Sequence, residues 1–169
     1  MLPPFDEFPV LASDRILMRQ IIASDAKDIL EIAVYDGIRA SDVADAITMQ
    51  NKIDINYAEG DSVHWGIIDR QTNATVGTCG YYRGFAGNTG ELGCILLPQF
   101  RGMGYMSEAF TLAIEFGLNI MKLDKVIAIT TADNIKARRL LELLQFILVS
   151  ESGDAKLTYE YHLPGAPIT

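Results

Sequence analysis

The spacing of apolar and polar positions changes several times along the chain, and each change marks an element. Val10 to Ile22 carries Ile16 and Met18 on one parity and Leu17, Arg19 and Ile21 on the other, the pattern of a strand with one partly exposed face. Ser24 with Asp25 and Asp28 predicts a helix start, with an oxygen side chain to cap it and negative charge at the positive end of its dipole; Ile29, Ile32 and Ala33 form its inward stripe. A second helix is predicted from Ser41 to Gly60, with Val43, Ala44, Ile47, Ile53, Ile55 and Tyr57 toward the core. Ser62 to Asp69 and Thr75 to Arg83 read as a hairpin around Arg70 to Ala74, and Gly84 to Gly90 as a loop. Glu91 to Leu97 follows as a third antiparallel strand, an apolar run bounded by Gly90 and Pro98.

Helical spacing returns after Met103, with Met106, Phe110, Ala113, Gly117 and Ile120 on one side. Lys125 to Ile129, rich in β-branched residues, is expected to run parallel to the Glu91 strand, because a strand, helix, strand connection of this length favours a right-handed crossover. A helix from Asp133 and Asn134 through Leu144, with Leu140, Leu141 and Leu144 inward, precedes a closing pair of strands, Phe146 to Val149 and Leu157 to Leu163. There is no internal repeat, linker or low-complexity segment, so residues 1–169 read as a single domain.

Between the Glu91 strand and the following helix lies Gln99-Phe100-Arg101-Gly102-Met103-Gly104. Two glycines can take positive φ and leave backbone N–H groups uncovered by any Cβ. A helix N-terminus adds four N–H groups without intrahelical partners and about half a positive charge, so the pair makes an anion site suited to phosphate. Glycine is equally the natural residue for an ordinary tight connection. No Gly-Lys-Ser/Thr follows, as a P-loop requires, and Ser107 stands where a dinucleotide fingerprint needs its third glycine.

The turn resembles the pyrophosphate signature of the GCN5-related N-acetyltransferase (GNAT) superfamily, Gln/Arg-x-x-Gly-x-Gly/Ala, with Gln99, Gly102 and Gly104 in the three marked positions. Within it, Glu91-Leu-Gly followed by Gly-x-Gly-Tyr-x-x-Glu-Ala looks most like the branch that acetylates ribosomal-protein N-termini. The element order matches that fold along essentially the whole chain: α+β, a central mixed, mostly antiparallel twisted sheet of about seven strands flanked by about four helices. The resemblance implies acetyl-CoA as cosubstrate and a primary amine as acceptor, either a protein N-terminus or a small molecule. It implies that the cofactor lies along Ile95, Leu96 and Leu97 as though it were another strand, with its phosphates on Gln99, Arg101, Gly102, Met103, Gly104, Tyr105 and Met106. Asn134, at a helix start where an N-cap is also expected, would contact the pantetheine arm, and Arg138 or Arg139 would add charge near the phosphates.

Glu91, just upstream of the cofactor strand, is the expected general base, by position and by resemblance, and His64 on a neighbouring strand is the other titratable candidate. The second motif departs from the family's. Ala137 stands where the ribosomal branch often has serine, Leu141 where other branches have tyrosine, and Gln145 replaces a glycine before Phe146. Either water protonates the departing thiolate, or Tyr105 or Tyr82 does, or the enzyme is slow or inactive. The alternative function is therefore a catalytically weak or inactive acyl-CoA-binding sensor or interaction module.

Composition narrows the partners. A hydrophobic fraction of 49% over 169 residues is ample for one core, and a net charge of −8 argues against nonspecific affinity for nucleic acid backbones. Cys79 and Cys94 lack metal-ligand spacing and read as buried free thiols, with no metal expected and a reducing, cytoplasmic setting implied. No basic segment leads into an apolar core at the N-terminus, and no window reaches the roughly 18 uninterrupted apolar residues of a membrane span, so no membrane partner is expected. Relatives in the family commonly dimerise, and the apolar content permits a homodimer.

Overall fold

The computed structural model describes residues 1–161, so the last two residues of the predicted closing strand, His162 and Leu163, lie outside the described residues. The elements are β1 (Leu11–Ala12), β2 (Ile16–Gln20), α1 (Ala26–Ile29), β3 (Val34–Tyr35), β4 (Ile38–Arg39), α2 (Val43–Ala58), β5 (Val63–Asp69), β6 (Thr75–Tyr82), β7 (Thr89–Leu96), α3 (Tyr105–Phe116), β8 (Lys125–Thr131), α4 (Ile135–Leu143), β9 (Phe146–Glu151) and β10 (Lys156–Tyr161). Eight strands form one sheet in the order β1-β2-β5-β6-β7-β8-β10-β9, and β3 with β4 is a separate hairpin. Every neighbouring pair in the large sheet is antiparallel except β7 and β8, which run parallel. The mixed, mostly antiparallel sheet with four helices agrees with the expected α+β architecture.

Local chemistry explains where the elements differ from the sequence pattern. The first predicted strand breaks at Ser13, whose Oγ accepts the N–H groups of Arg15 at 3.2 Å and Ile16 at 3.1 Å and turns β1 back on β2. The first helix shrinks to one α turn between 3-10 turns, and Asp25 rather than Ser24 ties down the start of the segment. Its carboxylate accepts the Ile22 N–H at 2.9 Å and both Arg19 guanidinium nitrogens at 2.7 and 2.9 Å. Burial alone would push Asp25 up; the Arg19 and Ile22 hydrogen bonds hold it below its ordinary value.

The second helix is capped by Asp42, which accepts the Asp45 N–H at 2.8 Å, and it buries Ala46, Met49 and Gln50 while Val43 and Ile55 face outward. Gln50 can be buried because its amide donates to Asp54 at 2.9 Å. Ile120 is exposed rather than inward. Helix α3 widens at its end into a π turn, Gly117–Met121, and the extra residue in that turn shifts the phase of the helix face, burying Met121 instead.

One face of the sheet carries the larger core. Trp65 is fully buried, donates its indole N–H to the Pro9 carbonyl at 2.8 Å and meets Phe116 edge-on at 5.6 Å between centroids. Tyr81, also fully buried, donates its hydroxyl to the Ala113 carbonyl of α3 at 2.8 Å. That bond sits against Gly117, where an added Cβ would lie 2.2 Å from the Tyr81 oxygen. Gly117→Ala is therefore expected to cost about 1–3 kcal/mol, read as a lower urea midpoint at unchanged m-value, and adding Tyr81→Phe should restore part of the loss. An unchanged midpoint for the single variant would contradict this packing.

Candidate active site

Strands β7 and β8 pair through Thr89 with Lys125, Gly90 with Val126 and Glu91 with Ile127, and then part. Glu91 is the last paired residue and stands at the fork. The opening is a cleft of about 1040 Å³ bounded by Glu91 to Ile95 on one side and Ala128 to Thr130 on the other. Because it passes between two strands of one sheet, it is lined from α1 and α2 on one face and from Met106, Phe110 and α4 on the other.

Hydrogen-bond phase determines what β7 offers to the cleft. The Leu97 N–H donates to the Val76 carbonyl at 3.0 Å, which places Val76 and Leu97 at a hydrogen-bonding position of the antiparallel β6–β7 ladder. Alternation then makes Thr78 with Ile95 and Gly80 with Gly93 bonded pairs, and Cys79 with Cys94 a non-bonded one. The peptide groups of Cys94 and Leu96 point away from β6, toward the side from which β8 has withdrawn. The Leu96 carbonyl is taken by the Arg101 Nε at 3.2 Å. Among the predicted cofactor residues, Ile95 thus presents its exposed side chain to the cleft while its peptide groups belong to β6, and the side chains of Leu96 and Leu97 are buried. The sequence reading missed Cys94; counting the ladder's alternation back from Pro98 would have found it.

Beyond Ile95 the chain makes a 3-10 turn, Pro98–Phe100, and enters α3 through Gly102 and Gly104 at φ +75° and +86°. Gly104 is the N-cap, no side chain caps the helix, and a Cβ on Gly102 would meet nothing within 4 Å. The first N–H groups of α3 are thus uncapped at an exposed turn that also carries Gln99, Arg101 and Met103. The turn is anchored from below. Tyr105 is buried and donates its hydroxyl to Asp69 at 2.6 Å, and the Arg15 guanidinium lies 4.0 Å over its ring. Hydrogen bonds from the Tyr105 hydroxyl and from backbone at Thr72 lower Asp69 to about 2, and the same partnership raises Tyr105. The Tyr105 hydroxyl is therefore committed to Asp69, and Tyr105 does not line the cleft.

On the α1–α2 side, Glu91 forms an ion pair with Arg83; the Glu91 side chain is 17% exposed and that of Arg83 74%. Tyr82 pairs directly with Glu91 across the ladder, and its ring lies over Gly93, where an added Cβ would come within 3.1 Å of it. Burial raises the Tyr82 hydroxyl well above its ordinary value, with Cys79 adding to the effect. His64 packs against the Tyr82 ring at 5.5 Å between centroids, and its Nδ1 is buried without a partner. Asp36 and Asp61 also line the cleft. Both sit in turns whose placement no periodicity in the sequence indicates, and Arg83, the last residue of the predicted strand, lies just beyond β6.

Residues 15–147 match the model of the family described as the acetyltransferase (GNAT) domain. The chain belongs to the GNAT acetyltransferase family. It is 29% identical to the uncharacterized N-acetyltransferase YoaA of Bacillus subtilis over 142 residues, covering 79% of this chain and 80% of that protein. Among solved structures, a putative ribosomal-protein-serine acetyltransferase from Vibrio cholerae superposes with a TM-score of 0.79 at 18% identity, over 95% of this chain and 98% of that one. A spermidine N-acetyltransferase from Vibrio cholerae, described as dodecameric, gives a TM-score of 0.70 at 16% identity over 88% and 92%. Members of the GNAT family transfer acetyl groups from acetyl-CoA, and this chain is an N-acetyltransferase by that membership. Within the described residues, no helix is long and apolar enough to cross a membrane, and no group of three or more His, Cys, Asp or Glu could hold a metal ion.

In this GNAT domain α4 supplies the far wall of the cleft. Asn134 is its N-cap, accepting the Ala137 N–H at 3.2 Å, and Asn134, Ala137 and Leu141 all line the cleft. The Arg138 guanidinium is engaged within the protein, donating to the Ala132 carbonyl at 3.0 Å and to the Tyr159 hydroxyl at 3.4 Å, while Arg139 is exposed.

Burial lowers His64 from 6.5 to about 4, which keeps the imidazole neutral at physiological pH. Between those values the unfolded chain takes up a proton that folded His64 refuses, so His64 makes stability fall as pH drops from 6.5 to about 4 and has no further effect below. Thermal melts across that window should show this slope in the wild type and a shallower one in His64→Gln. A His64 ring that titrates near 6.5 by NMR would contradict the burial argument.

Proposed function

We propose that the chain transfers the acetyl group of acetyl-CoA directly to a primary amine that enters from the α1–α2 side. The observation that carries this reading is the fork, where a carboxylate, Glu91, stands at the point at which β7 loses its partner strand. The Cys94 peptide groups and the Leu96 N–H, turned away from β6, suit the amides of a pantetheine arm; the Leu96 carbonyl is already held by Arg101. The uncapped, glycine-bounded start of α3 suits a pyrophosphate. The cosubstrate brings an activated thioester; the protein contributes position, hydrogen bonds and proton transfer.

Glu91 takes the proton of the incoming ammonium, directly or through water, and leaves a neutral amine to attack. Its ion pair with the exposed Arg83 is replaceable, so a cationic acceptor can compete for the same carboxylate. Asp36 and Asp61, which also line the cleft, favour a cation over an anion. Tyr82 lines the cleft beside Glu91 while Tyr105 does not, which makes Tyr82 the better placed of the two tyrosines to protonate the departing thiolate, although burial raises its hydroxyl and weakens it as an acid. The acceptor is a protein N-terminus or a small-molecule amine. Of the structures named above, one is described as a putative ribosomal-protein-serine acetyltransferase and one as a spermidine N-acetyltransferase, a protein and a small-molecule amine on one fold.

Ala137 and Leu141 bring no hydroxyl to the cleft wall, which supports a second reading, an acyl-CoA-binding module with little or no catalysis. A thiol-release assay with acetyl-CoA against a panel of amines and N-terminal peptides separates the two. Release is expected with one acceptor class. Glu91→Gln should lower kcat by about 10²-fold or more at unchanged acetyl-CoA affinity, and Tyr82→Phe should lower it less. Glu91→Gln turning over at the wild-type rate would remove Glu91 as the base, and tight acetyl-CoA binding without release on any acceptor would favour the second reading.

A further inference from the structure

The two cysteines of this chain are not isolated thiols. Cys79 on β6 and Cys94 on β7 are direct partners in the antiparallel ladder, and directly opposed residues share a face of the sheet. The ladder phase set by the bond from Leu97 to Val76 makes them a non-hydrogen-bonded pair, the kind in which Cα atoms approach to about 4.5 Å and side chains come closest. That separation falls within the roughly 4.4–6.8 Å between Cα atoms that a disulfide accepts. Both thiols are free. Cys79 is fully buried, whereas Cys94 is half-buried and lines the cleft, so Cys94 is the residue of the pair that a reagent in the cleft meets first.

We propose that Cys79 and Cys94 are a dithiol–disulfide pair built into the cleft floor, closed by a hydroperoxide that enters the cleft and opened by thiol reductants. The Cys94 sulfur attacks the peroxide O–O bond, becoming a sulfenic acid as one water (or alcohol) leaves. The Cys79 sulfur then attacks the Cys94 sulfur, and the S–S bond forms as the sulfenic oxygen departs as water with the Cys79 proton. One peroxide is reduced by two electrons and two thiols are oxidised by two. Cys94 is the sulfur that meets the peroxide and Cys79 the resolving one, because Cys94 lines the cleft and Cys79 does not; burial raises the Cys94 thiol well above its ordinary value, so its thiolate is scarce and the first step is slow. Because the Cys94 peptide groups face the fork, closing the bond draws on the stretch of β7 that the cleft uses.

Only these two cysteines are present, which makes the test unambiguous. Full-length protein is treated with hydrogen peroxide, and thiols are counted after denaturation. The expected result is a fall from two free thiols to none in a monomer whose mass drops by two hydrogen atoms, reversed by dithiothreitol. Trp65, the one tryptophan, pairs directly with Cys79, so its fluorescence should be quenched on oxidation and recover on reduction. Cys79→Ser should leave Cys94 to gain oxygen, trapped as the sulfenic acid by a dimedone probe, whereas Cys94→Ser should leave Cys79 unmodified over the same time. Two thiols surviving in the wild type, oxygen addition without loss of hydrogen, or cross-linked dimers in place of the intramolecular bond would each overturn the proposal.

Discussion

The site depends on one constraint: a parallel strand pair that stops too soon. Backbone polar groups inside a protein are almost always satisfied, and a sheet interior satisfies them through neighbouring strands. Here β7 pairs with β6 from Glu91 to Leu96 but keeps β8 for three pairs, so the Cys94 peptide groups face a cleft rather than a strand and those of Leu96 turn to the same side. Leu96 recovers one bond from Arg101. Any ligand that carries amides at strand-like spacing can supply the others, and it does so between a carboxylate at one end and a helix N-terminus at the other.

The rest of the fold holds that opening in place. The β1–β2 hairpin, turned at Ser13, brings Arg15 over Tyr105, and Tyr105 reaches through the core to Asp69 at the end of β5. These contacts fix the first turn of α3 without using the backbone groups that an anion would need. Tyr81 binds the Ala113 carbonyl from the other direction, so α3 is tied to the sheet at both ends of its buried face. A rigid helix start of this kind costs little reorganisation when a charged ligand arrives.

Much of this was legible in the sequence, because it follows from short-range rules. The glycines of the turn announce positive φ, the apolar run from Leu92 to Leu97 announces a buried strand, and the parallel crossover to β8 follows from chain handedness. The parts that were not legible depend on tertiary placement. No pattern reveals that β8 leaves β7 after Glu91, that Arg83 pairs with Glu91, or that Tyr105 spends its hydroxyl on Asp69 rather than in the cleft. The inward face of α2 was misread for the same reason: a buried Gln50 satisfied by Asp54 looks polar in sequence and behaves as core in the fold. Ile120 was misplaced by a π turn that no local residue signals.

The central claim is that acetyl-CoA occupies the fork and completes the open edge of β7. Residue-resolved amide hydrogen exchange, with and without acetyl-CoA, tests it most directly. Occupancy of the fork predicts that the Cys94 and Leu96 amides, together with the first amides of α3, exchange much more slowly in the complex while the outer strands are unchanged. Binding that protects amides elsewhere, or that leaves these as exposed as before, would contradict it.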